Sequence, residues 1–228
     1  QPQRGLPVNA WRVSLEAAVQ KQMQAGYYGC INHIDDQIGR IMEVLPKNTV
    51  VIFVSDHGEM LGDHQWMRKR NAFEASARIP FLIRFPSSLG IKQEKVLDHP
   101  VGLMDIMPTC LELAGVNIPD SVNGRNLLPI IENPVADWRG YLHGECAQIP
   151  TLNSGMQYLT NGKMKYIWYP GTGREHYFDL TSDPNEMTNL ASDPAHRDGR
   201  NHWRSILIDE LSGRAEGFTN GRQLRTLV

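Results

Sequence analysis

Five apolar residues in a row, Val50 to Val54, run directly into Ser55-Asp56-His57-Gly58, and no other stretch constrains the chain as strongly. Four of the five are β-branched and the run is short, which favours a strand buried on both faces over a helix. A carboxylate and an imidazole then emerge from the carboxyl end of a strand, which is where ligands bind in open α/β sheets. Gly58 and Gly62 let the loop turn tightly, so Asp63, His64 and Lys69 return to the same neighbourhood. A carboxylate, two imidazoles and an ammonium on one short loop point to an anion held beside a metal.

Similar patterning flanks this stretch. Tyr27, Cys30, Ile31, Ile34, Ile38, Ile41, Met42 and Leu45 recur at three- and four-residue steps and predict one face of a long helix. Ser14 is its expected cap and Pro46 its end, and Gly26 and Gly29 predict a kink or a close packing contact. Asp35, Asp36 and His33 fall beside the apolar stripe and read as helix surface. Phe81 to Phe85 predict a second buried strand. A helix follows from near Asp105, its expected N-cap, to Ala114, with Gly115 as the stop. Composition shifts at Asn133-Pro134, the expected boundary between an α/β layer (residues 1–133) and a small subdomain (134–228). There Tyr141 to Cys146, Met156 to Thr160, Met164 to Tyr169 and His176 to Leu180 predict short strands, and Asn161-Gly162 a hairpin turn. His202 to Leu211 predicts a covering helix, and the tail from Ser212 is expected to be partly mobile.

Bulk properties exclude several classes. With 228 residues, 41% hydrophobic and 21% charged, the chain can bury a core. A net charge of −2 with dispersed basic residues leaves no nucleic-acid stripe, and no apolar run is long enough to span a bilayer. Cys30, Cys110 and Cys146 lie far apart and form neither a metal-ligand spacing nor a disulfide framework.

The stretch S-D-H-G-E-M-L-G-D-H, then Lys69, then F-E-A-S-A-R-I-P-F-L-I-R resembles the sulfatase branch of the alkaline-phosphatase superfamily. D-L-T-S-D-P-N-E-M-T-N-L-A, from Asp179 to Ala191, resembles its C-terminal motif, with acids that read as turn and cap chemistry. The resemblance implies a mostly parallel α/β sheet flanked by helices, followed by a small antiparallel subdomain. It implies metal-assisted hydrolysis of a sulfate ester, with Asp56 and His57 as metal ligands and Lys69 as the catalytic, substrate-binding cation. His64 is a further substrate-binding candidate, or a histidine that structures the loop. Calcium is the expected ion, although imidazole suits zinc or manganese better; Mn²⁺, Mg²⁺ and Zn²⁺ are the alternatives.

The family's formylglycine nucleophile, formed within C/S-x-P-x-R, has no counterpart here, nor does its first pair of metal-binding aspartates. The resemblance therefore covers only the C-terminal part of a sulfatase, and the expected partner is the missing N-terminal half, with a homo-oligomer also open. No turnover is expected from this chain alone. Two alternatives stay open: a phosphonate monoester or phosphodiester hydrolase of the same superfamily, and a non-catalytic fragment. The sulfatase reading implies an extracytoplasmic compartment, whether periplasmic, secreted or lysosomal; the phosphonate reading implies the cytoplasm.

Overall fold

The computed structural model describes residues 12–92, 95–147 and 155–227. They fall into two compact units, residues 1–93 and 94–228.

The first unit holds helix α1 (Ala17–Val44), strand β1 (Val51–Val54), a short helix α2 (Glu74–Ala77) and strand β2 (Phe81–Arg84). The helix is one uninterrupted element, and a Cβ at Gly26 or Gly29 would meet nothing within 4 Å, so the close packing contact expected there is not present. Nor does Ser14 cap it. Glu16 stands at the N-cap with extended backbone and no side-chain hydrogen bond. The expected strands form, but their pairing is antiparallel, with Val51 opposite Arg84 and Val54 opposite Phe81. β1 is also less buried than its composition predicts, with Phe53 39% exposed. Among the described residues it pairs with one strand only, β2.

The second unit begins with helices α3 (Ile106–Leu113) and α4 (Leu128–Glu132). Asp105 stands at the N-cap position of α3, but its carboxylate makes no capping bond. It turns instead to the Arg139 guanidinium, at 2.6 Å to each oxygen, and to the backbone N–H groups of Gly102 and Arg125. Gly124 passes so close to this turn that a Cβ there would sit 1.8 Å from the Met104 carbonyl oxygen.

Four antiparallel strands follow, β3 (Leu142–Cys146), β4 (Met156–Thr160), β5 (Met164–Trp168) and β6 (Glu175–Asp179), paired in chain order. The register sets Leu159 opposite Tyr166 and Tyr166 opposite Tyr177, giving one apolar face. Helix α5 (Arg197–Glu210) covers that face with Trp203 and Leu207. The β4–β5 turn is local chemistry: Asn161 Oδ1 accepts from the N–H groups of Lys163 and Met164, and Gly162 takes φ 82°. In the tail from Ser212, most of which is exposed, two contacts reach the sheet. Phe218 is buried edge-on against Trp168, and Arg214 pairs with Glu145 at 2.8 Å. Of the acids in the Asp179–Ala191 motif, Asp179 and Asp183 serve turns. Glu186 does not: it is buried against buried Lys165, at 2.9 Å.

A second ion pair ties α5 to the sheet. Arg204 reaches both oxygens of Glu175, Nε at 2.6 Å to Oε1, and the Tyr166 hydroxyl donates to the same carboxylate. Burial pushes the Glu175 carboxyl up, but the hydrogen bonds from Arg204 and Tyr166 outweigh it and hold its pKa below the ordinary value. A depressed carboxylate contributes stability above its unfolded pKa and loses it as pH falls through the folded one. Glu175→Gln should therefore lower unfolding free energy by about 2 kcal/mol at neutral pH, the scale of charge-assisted bonds in a half-buried site. It should also flatten the acid limb below about pH 4. Urea titrations across pH would show both; an unchanged acid limb would rule this pair out as its source.

Candidate functional site

The loop after β1 is folded by its own polar groups. Ser55 Oγ donates to the His57 carbonyl at 2.7 Å, and the His57 N–H donates to Asp56 Oδ1 at 3.0 Å. Gly58 N–H donates to the Ser76 carbonyl at 2.8 Å, and a Cβ on Gly58 would lie 2.1 Å from the Ala75 carbonyl oxygen, so only glycine fits. His57 Nδ1 lies 2.7 Å from the Gly58 carbonyl oxygen. A carbonyl only accepts, so Nδ1 carries the proton and, in the neutral ring, Nε2 keeps its lone pair. That Nε2 lies 3.3 Å from Asp56 Oδ2 and 2.6 Å from Lys69 Nζ.

Lys69 arrives there because the loop is clamped behind it. Glu59 Oε1 accepts from the N–H groups of Leu61 and Arg68, and Met60 N–H donates to the Arg68 carbonyl at 2.8 Å. Fully buried Met60 anchors the clamp from below. Leu61, His64, Gln65, Arg68 and Arg70 all take positive φ, and Glu186 is the one other non-glycine residue that does so among the described residues. Each such residue costs on the order of 1 kcal/mol or more, and such strain gathers at ligand-binding loops when surrounding bonds over-determine it. Arg68 and Arg70 bracket Lys69, so the strain sits where the ammonium is aimed.

Of the sequence candidates, Asp56, His57 and Lys69 are thus brought together. His64 lies flat on Phe73, centroids 4.1 Å apart at 9°, with φ 51°. What the fold visibly asks of His64 is packing against that ring. His33, Asp35 and Asp36 are exposed on α1, as expected. Sequence reasoning missed Glu59, whose signal was its place directly after Asp-His-Gly, and missed Phe73 as a platform.

Asp56 Oδ2 and His57 Nε2 stand at a separation that two ligands of one ion adopt when each is about 2.0–2.6 Å from it. The tautomer is also right, with the ring N–H tied to a carbonyl and the other nitrogen free to ligate. The pair is a partial set: no group of three or more His, Cys, Asp or Glu side chains suited to a metal occurs among the described residues.

A family model described as N-sulphoglucosamine sulphohydrolase, C-terminal, matches residues 62–211, and one described as sulfatase matches residues 7–116. An arylsulfatase of Clostridium perfringens is 43% identical over 227 residues, 97% of this chain and 47% of that protein. Arylsulfatase K of Rattus norvegicus is 35% identical over 76% of this chain and 32% of its own length. The crystal structure of the phosphonate monoester hydrolase of Agrobacterium radiobacter superposes with a TM-score of 0.70 at 29% identity, over 82% of this chain and 40% of that one. The chain thus spans about half the length of the first of these relatives and about a third of the second. A strand ending in Asp-His-Gly, a clamped lysine returning to that histidine, and family matches running from residue 7 to residue 211 agree: this chain belongs to the sulfatase family of the alkaline-phosphatase superfamily and matches its C-terminal portion.

Proposed function

We propose that this chain forms part of a sulfuric ester hydrolase, contributing the half of the active site built from Asp56, His57 and Lys69. The convergence of Asp56 Oδ2, His57 Nε2 and Lys69 Nζ at the end of β1 carries the reading. Asp56 and His57 would hold a divalent metal. Calcium is the proposed ion because a carboxylate is a hard ligand, with Mn²⁺, Mg²⁺ or Zn²⁺ as alternatives that tolerate imidazole better. When bound, such an ion polarises the oxygens of the ester group. Lys69 is a compact charge on a flexible stem, suited to a sulfate oxygen beside the metal. Its hydrogen bond to His57 keeps it in place for that oxygen. His64 is assigned to the substrate side of the loop, its ring held flat on Phe73. The formylglycine nucleophile would come from a part of the protein that these residues do not include. We assign residues 1–133 to the core layer and 134–228 to the C-terminal subdomain, and an extracytoplasmic compartment to the protein.

A second reading, phosphonate monoester hydrolysis in the cytoplasm, is favoured by one observation, the superposition on the Agrobacterium enzyme. Sulfuryl and phosphoryl groups share a shape and differ in charge. Assays of the parent-length protein on an aryl sulfate and an aryl phosphonate monoester separate the two. Sulfate turnover abolished by a chelator and restored by calcium is the expected result. Turnover indifferent to chelation would remove the metal roles of Asp56 and His57, and preference for the phosphonate would establish the second reading.

A further inference from the structure

Asn-Gly occurs three times in the chain, at 123–124, 161–162 and 220–221. An asparagine followed by glycine is open to a spontaneous cyclisation, because glycine has no side chain to keep its own nitrogen away from the neighbouring carboxamide. Two of the three pairs are closed in the same way. Asn161 Oδ1 accepts from the N–H groups of Lys163 and Met164, at 3.0 and 2.8 Å. Asn220 Oδ1 accepts from those of Arg222 and Gln223, at 3.0 and 2.9 Å. The glycine nitrogen is engaged in both turns. Gly162 N–H donates to Thr160 Oγ1 at 3.1 Å, and Gly221 N–H to Thr219 Oγ1 at 3.0 Å. Carboxamide and nitrogen are each held by other partners, so neither is at liberty to approach the other.

The third pair has none of these bonds. Asn123 is exposed, and among the described residues neither its carboxamide nor the Gly124 N–H has a hydrogen-bond partner. Fastened backbone begins one residue later. Arg125 N–H donates to Asp105 Oδ1 at 2.8 Å, Leu127 N–H to buried Thr109 Oγ1 at 3.0 Å, and Leu128 N–H to Asn126 Oδ1 at 2.9 Å. Gly124 itself has no spare room on its Cα side, where a Cβ would lie 1.8 Å from the Met104 carbonyl oxygen. A reactive pair therefore stands directly against the turn in which Asp105 holds Arg139.

We propose that Asn123-Gly124 is a site of spontaneous modification, and that the isoaspartate formed there loosens the turn held by Asp105. The Gly124 nitrogen, giving up its proton to base, attacks Asn123 Cγ. The new N–Cγ bond closes a cyclic imide, and the bond from Cγ to the side-chain nitrogen breaks. That nitrogen leaves with a proton as ammonia. Water then opens the imide. Cleavage of the N–Cγ bond leaves aspartate. Cleavage of the bond from the Gly124 nitrogen to the main-chain carbonyl carbon of residue 123 leaves isoaspartate, whose main chain runs through Cγ. Nothing is oxidised or reduced in either branch. Isoaspartate adds a methylene to the main chain just ahead of Gly124, where Met104 leaves no room, and of the Arg125 N–H that Asp105 accepts.

The test incubates the purified protein in mildly alkaline buffer, folded and in urea, and follows the three Asn-Gly peptides by mass spectrometry. Enzymatic methylation distinguishes isoaspartate from aspartate. In the folded protein, conversion at Asn123 should be about tenfold or more faster than at Asn161 or Asn220, because three bonds must open at each of those turns before attack. In urea the three rates should draw together. Equal rates in the folded protein, or faster conversion at either closed turn, would overturn the assignment of the site. The effect on the turn is read from urea midpoints. Protein carrying isoaspartate at 123 should unfold at lower urea than fresh protein. Fresh Asn123→Asp, which has the charge without the added methylene, should stay near the parent, as should incubated Asn123→Ser, which has no carboxamide to cyclise. Position 123 is exposed, so both variants should fold as the parent does. An unchanged midpoint for the isoaspartate form, or an equal loss in either variant, would overturn the link to Asp105.

Discussion

On the proposed reading of a sulfuric ester hydrolase, replacing Lys69 with alanine should lower kcat/KM of the parent-length protein by about 10²- to 10³-fold, the loss typical of one fixed donor to developing negative charge. The expectation follows from position. Lys69 Nζ sits 2.6 Å from His57 Nε2, on a backbone held by the Glu59 clamp and bracketed by positive-φ arginines, so a mobile surface charge is not what is removed. The side chain is exposed, and its loss should leave unfolding free energy within about 0.5 kcal/mol of the parent. That split between catalysis and stability is the diagnostic. Lys69→Arg should rescue poorly, because a planar fork cannot reproduce a point charge against both an imidazole nitrogen and a sulfate oxygen. Steady-state kinetics beside urea unfolding would decide it. An alanine variant with parental kcat/KM would show that the ammonium serves the loop and not the ester.

Asp105→Ala should be strongly destabilising, at about 3–5 kcal/mol. Asp105 is fully buried, and the side chain of Arg139 is 10% exposed. The carboxylate accepts both arms of the guanidinium and the N–H groups of Gly102 and Arg125. Alanine would leave a nearly buried cation without its counter-charge and two backbone donors without an acceptor. Removing one partner of such a pair is far worse than removing both, so Asp105→Ala combined with Arg139→Met should recover part of the loss. The stack of Arg139 on Trp138, 4.8 Å to the ring centroid, would be given up in that double variant and limits the recovery. Denaturant midpoints of the two single variants and the double variant form the cycle. A loss below about 1 kcal/mol for Asp105→Ala would mean that water reaches and rescues Arg139.

Sequence by itself determined what nearest neighbours along the chain decide. The β-branched run forms a strand, Val51–Val54, and the Asp-His-Gly after it sets the Asp56 carboxylate beside the His57 ring and that ring against Lys69, because the bonds involved span few residues and one short loop. Asn161-Gly162 makes its hairpin for the same reason: a side-chain acceptor and a positive φ are properties of the residues themselves. Tertiary structure decided everything that joins distant positions. Asp105 looked like a helix cap until Arg139, 34 residues later, arrived to take its carboxylate. Glu186 looked like one more turn acid, yet it pairs with Lys165 in the interior. In the tail after Ser212, the contacts of Phe218 with Trp168 and of Arg214 with Glu145 join positions that no local pattern links. Composition marked β1 as a strand buried on both faces and α1 as a long helix with one apolar face, but neither periodicity nor apolarity says which surface supplies the cover. Among the described residues that surface is absent for the open edge of β1 and the middle of α1, because the hydrophobic effect is non-directional and names no partner.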